Sequence, residues 1–90
     1  MNEKYIIQSL ASRYLKIIGL NRNQHIRNMC LTILNKLEEY PEGKLNRWLG
    51  FIQKSLIDMN LTTFEKEVKF TNELTAPIYK NNNTESVENH

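Results

Sequence analysis

Cys30 and His25 are the side chains in this sequence best suited to nucleophilic catalysis, a thiol and an imidazole within one predicted helix. A nucleophile and its base must lie within hydrogen-bond reach. Five residues apart on a helix places them about 140° apart around the axis, so a second helix would have to complete the pair. Cys30 falls on an apolar stripe and reads as a small buried thiol. His25 falls in a first helical turn and reads as a surface residue. One Cys and two His (His25 and His90) do not make a zinc set, and there is no second cysteine to give paired spacing. Glu38, Glu39 and Glu42 cluster around Pro41, where capping and solubility account for them. No GxGxxG, Walker or nucleophile-elbow pattern occurs. The expectation is a protein that is not an enzyme, with no catalytic residue, cofactor or metal.

The elements that would position any site are helical. Ile6, Ile7, Leu10, Tyr14, Ile17 and Ile18 form one stripe and predict a helix over 3–18. Gly19 suits its stop, and Asn21 or Asn23 suits the next start. Ile26, Met29, Cys30, Ile33, Leu34 and Leu37 predict a second helix over 22–40, broken by Pro41. Leu45, Trp48, Leu49, Ile52, Leu56 and Met59 predict a third over 43–60, with Trp48 on its buried face. Thr62-Thr63-Phe64-Glu65 has capping-box spacing and predicts a fourth helix from about 63. This one is shorter and more polar, with Phe64, Val68, Phe70 and Leu74 as its apolar content, and ends at or near Pro77. The fold class is therefore all-α. Three main helices form a small bundle over residues 1–76 with the fourth, and 77–90 form a polar, flexible tail.

Ninety residues allow one small domain and exclude barrels and doubly wound sheets. With 40% hydrophobic and 24% charged residues the chain can bury a core, but one small enough that a partner or a homo-oligomer would help it. A lone cysteine fits a reducing compartment. No signal peptide or membrane-length apolar run is present, so action in the cytoplasm without direct membrane insertion is expected.

The net charge of +2 hides an asymmetry. Residues 1–54 hold nine Lys/Arg against four Asp/Glu, and residues 55–90 hold three against six. No acid lies between Glu3 and Glu38. Arg13, Lys16, Arg22 and Arg27 are the candidate basic surface, suited to an acidic partner or, as an alternative, to nucleic acid or a nucleotide. Asn28 and Asn35 suit adenine edges, but Glu38 and Glu39 beside the second turn would repel a backbone. Nucleic acid is thus the weaker expectation.

A binding module should carry apolar residues away from its core stripe. Leu15 lies about 110° from the centre of the first stripe, Leu31 nearly opposite the second, and Phe51 about 100° from the third. Phe51 is flanked by Lys44, Arg47 and Lys54, a composition enriched at interfaces. Leu15, Leu31, Arg47, Phe51 and Lys54 are the candidate partner-binding residues. Gly50, inside the same helix, suggests a close backbone approach there.

Two segments extend this picture: Gly43-Lys44-Leu45-Asn46-Arg47-Trp48-Leu49-Gly50-Phe51-Ile52-Gln53 and Asn21-Arg22-Asn23-Gln24-His25-Ile26-Arg27-Asn28-Met29-Cys30. Together they resemble the lysis-inhibition accessory proteins that T-even-like bacteriophages encode at their third r locus. The resemblance covers most of residues 1–80. It implies a non-enzymatic factor in the host cytoplasm that restrains the phage holin by contacting its cytosolic part. It transfers no residue-level site.

Overall fold

The computed structural model describes residues 3–20 and 22–88, with side chains described for 4–20 and 22–76. It is all-α: α1 is Glu3–Ile18, α2 Gln24–Asn35, α3 Glu42–Asp58 and α4 Phe64–Glu88. α4 continues through Pro77 to Glu88, where a stop and a shorter helix were expected, and at 25 residues it is longer than α1, α2 or α3. A cap from Asn21 and the side chains of the expected tail over 77–90 lie outside the described residues.

The starts and stops follow from local chemistry. Gly19 takes φ +68°, the left-handed conformation that a Cβ disfavours, and its N–H bonds the Leu15 carbonyl. Asn23 caps α2, its side-chain oxygen accepting from the Ile26 N–H at 3.1 Å. α2 stops at Asn35, five residues before its predicted end. Lys36 caps it, and Glu39 and Tyr40 then turn back onto the Lys36 carbonyl. Pro41 disfavours helical backbone at Tyr40, and the Lys4 ammonium, bonded to the Leu37 carbonyl, ties the turn to α1. α3 ends at Asp58, with Asn60 at φ +61°, a conformation that asparagine tolerates better than most residues. Thr63, rather than Thr62, caps α4, accepting from the Lys66 N–H at 3.2 Å.

α1 packs on α2, α3 and α4, so it is the spine of the bundle. Ile7, Leu10, Ala11, Tyr14 and Ile18 of α1 meet Ile26, Cys30 and Ile33 of α2 and Leu45, Leu49, Ile52 and Leu56 of α3. Each fully buried aliphatic side chain contributes about 1.5–3 kcal/mol by leaving water. Trp48 is half-buried at the edge of this core, more open than its stripe position suggested.

α4 is attached differently. The four apolar residues expected of it divide between two faces, because Val68 lies about 160° around the helix from Phe70. Phe70 and Leu74 turn inward against the core, while Phe64 and Val68 face solvent. The fully buried side chain on α4 is a carboxylate, Glu67.

Candidate partner-binding surface

Four cations were expected to form one basic surface, and packing separates them. Arg13 turns toward α4 and forks onto Glu67, with Nε to Oε1 and Nη2 to Oε2, both at 3.0 Å. Its guanidinium also lies 4.4 Å from the centre of the Phe70 ring. The Thr62 hydroxyl donates to Glu67 Oε2, so the buried carboxylate has three donors. Burial pushes the Glu67 carboxyl up, but the hydrogen bonds from Arg13 and Thr62, helped by the Arg13 charge, hold it below its usual range. The same hydrogen bond raises Arg13 against a smaller opposing effect of burial. Arg27 is half-buried and donates to the Gly19 carbonyl at 3.4 Å, closing the α1–α2 turn. Lys16 and Arg22 remain exposed. The expected basic surface is therefore reduced to two exposed cations.

The predicted partner-binding residues divide as well. Leu15 is half-buried and packs against the core, so it is not the free apolar residue that angle counting suggested. Leu31 is half-buried on α2. Phe51, Arg47 and Lys54 all lie in the open on α3, with Phe51 49% exposed. The His25 ring from α2 lies T-shaped against the Phe51 ring, with ring centres 6.5 Å apart and planes at 78°. Lys54 pairs with Asp58 at 3.0 Å, both side chains mostly in solvent. Gly50 is exposed, and a Cβ built on it would meet nothing within 4 Å, so the suspected close backbone approach does not exist.

At the other end of α3, Tyr40 and Trp48 pack edge to face, with ring centres 5.9 Å apart. The Lys44 ammonium lies 4.1 Å from the Tyr40 ring centre and 5.6 Å from that of Trp48. Two aromatic–cation groups thus line α3, one around Phe51 and one around Trp48.

Comparison with known protein families, curated proteins and solved structures returned no match.

Cys30 is fully buried, and burial pushes its thiol up to about 11, with a smaller opposing effect from Arg27. At neutral pH it is a protonated core residue, unsuited to nucleophilic attack. His25 points outward instead, onto Phe51. Tyr14 is also core, pushed up to about 12 chiefly by burial, and its hydroxyl accepts from Gln53 Nε2 at 3.2 Å. Among the described residues, no group of three or more His, Cys, Asp or Glu is placed to hold a metal ion.

Sequence reasoning passed over Glu67. A signal existed: Glu67, Phe70 and Leu74 are spaced i, i+3, i+7, which places a carboxylate on the inward stripe of α4. A charge there requires a partner from another helix. Arg13, 54 residues earlier, is that partner.

Proposed function

We propose that this chain is a non-enzymatic protein-interaction module that docks through the α2–α3 face, and that it acts as a lysis-inhibition accessory factor on the cytosolic part of a phage holin. The observation that carries the docking is Phe51, half in solvent between exposed Arg47 and Lys54, with the His25 ring beside it. An exposed aromatic ringed by cations suits an interface hot spot, where ring burial supplies affinity and the cations select an acidic partner. The holin as partner rests on the resemblance of residues 21–30 and 43–53. No helix among the described residues is long and apolar enough to cross a membrane, so a role at the membrane would run through a partner that supplies the span. The nucleic-acid alternative loses support, because Arg13 is committed to Glu67 and Arg27 to the Gly19 carbonyl.

The test is co-purification of the full chain with the soluble cytosolic segment of the holin. Wild-type protein should retain the segment at micromolar concentration, and Phe51→Ala should lose it with an unchanged circular dichroism spectrum. A folded wild type that retains nothing sinks the holin assignment. Equal retention by Phe51→Ala sinks the α2–α3 face. Light scattering on the same samples tests a homo-oligomer through Phe51→Ala. Leu15→Glu is unsuitable there, since Leu15 packs on the core.

A further inference from the structure

On α1, Ser9, Ser12, Arg13 and Lys16 are spaced i, i+3, i+4 and i+7 and share one side of the helix. With Gln8, Ile17 and the Phe70 ring from α4 they line an open groove of about 460 Å³ beside the Arg13–Glu67 pair. The groove is mixed in character. Phe70 and Ile17 provide apolar wall, while two hydroxyls and two cations provide donors. Lys16 has no ion-pair partner among the described residues. Glu67 engages Nε and Nη2 of Arg13, which leaves Nη1 for another acceptor. The donors thus outnumber the acceptors along this edge.

α4 shows what α1 accepts on this side. It offers a carboxylate and then apolar side chains three and seven residues on (Glu67, Phe70, Leu74), and α1 answers with a guanidinium and core contacts. The lining from Gln8 to Ile17 extends about 13 Å at 1.5 Å per residue, the reach of two to three helical turns. A duplex backbone would need a longer array of cations than Lys16 and one edge of Arg13.

We propose that the α1–α4 groove is a second docking site, and that its occupant is an amphipathic partner helix carrying a carboxylate. The carboxylate lies between Lys16 and Arg13 Nη1, within reach of the Ser12 hydroxyl. An apolar side chain one turn along covers Phe70 and Ile17. This is helix-in-groove recognition, in which apolar anchors give affinity and the charge fixes register. The site is separate from the α2–α3 face and does not depend on the holin reading.

The probe is a labelled, helix-stabilised peptide repeating Glu-x-x-Leu-x-x-x-Leu, titrated by fluorescence anisotropy against the full chain. The same peptide with Gln for Glu is the control. The Glu peptide should bind about tenfold more tightly than the Gln peptide, equivalent to ~1.4 kcal/mol. Lys16→Glu and Ser12→Glu each place a carboxylate in the groove at an exposed position. Both should keep the helical spectrum and remove that preference. Phe51→Ala should leave it intact even while it abolishes holin-segment retention. Equal binding of the two peptides overturns the proposal, as does a preference that survives Lys16→Glu. Full displacement by free glutamate would reduce the site to a simple anion pocket. Self-association of the chain that is broken by Lys16→Glu would make a second copy the occupant. Either result also overturns it.

Discussion

Arg13 and Arg47 are the same side chain on two amphipathic helices, each beside a phenylalanine. Around Arg13 the acid is Glu67, fully buried and delivered from a distant helix. Arg47 has no ion-pair partner among the described residues, and the nearby ion pair on α3, Lys54–Asp58, lies in solvent. The first cluster loses its water and becomes structure. The second keeps its water and stays available to a partner. The difference lies in burial rather than in composition. A carboxylate without water depends on its donors, whereas a pair exposed at 76% and 62% gains little from meeting.

The largest effect that would break this comparison is at the α1–α4 seam. Arg13→Ala strands a buried carboxylate and should cost about 3–5 kcal/mol in urea unfolding, while Arg47→Ala should change stability by no more than about 0.5 kcal/mol. Comparable losses at the two sites would erase the distinction. The seam should also give the protein an acid-sensitive stability. The folded-state pKa of Glu67 lies below its ordinary value of 4.5, so its contribution is fully present above that value and is lost as pH falls through the lower folded value. Thermal melts across this range should show a decline in wild type that is reduced in Glu67→Gln.

Thr62→Val removes one of the three donors to the same carboxylate. It should cost about 1.5–3 kcal/mol, less than the loss of Arg13, because the guanidinium remains. A neutral result would mean that the fork alone satisfies Glu67. On the other face, Gly50→Ala should raise stability by about 0.5–1 kcal/mol, since the added methyl meets only open space and helix propensity improves. A loss there would reveal a packing constraint on the exposed side of α3. The smallest effect is Lys54→Ala, which should stay within about 0.5 kcal/mol although it removes an ion pair of 3.0 Å. Its effect should appear instead as weaker capture of the holin segment.

Much of the fold was legible because helical periodicity is a local property. The stripes of α1, α2 and α3 supply the core residues that the bundle buries, and Gly19 and Asn23 end and begin helices where their backbone chemistry allows. Phe51 was legible for the same reason, as an aromatic off its stripe with no apolar neighbour to cover it. α2 was read too long because Leu37 continues the apolar pattern into the turn before Pro41. Arg13 departs from the expectation because angle counting on one helix cannot see α4 arrive on its flank, and Leu15 departs from it because it packs against the core.

The sequence by itself determined that the chain is helical, the order of its helices and most of the core, because each follows from spacing along the chain. Only the tertiary structure decided which cation is structural and which is free. That choice depends on Glu67 reaching across 54 residues of sequence to meet Arg13, and on the loss of water that makes their meeting count.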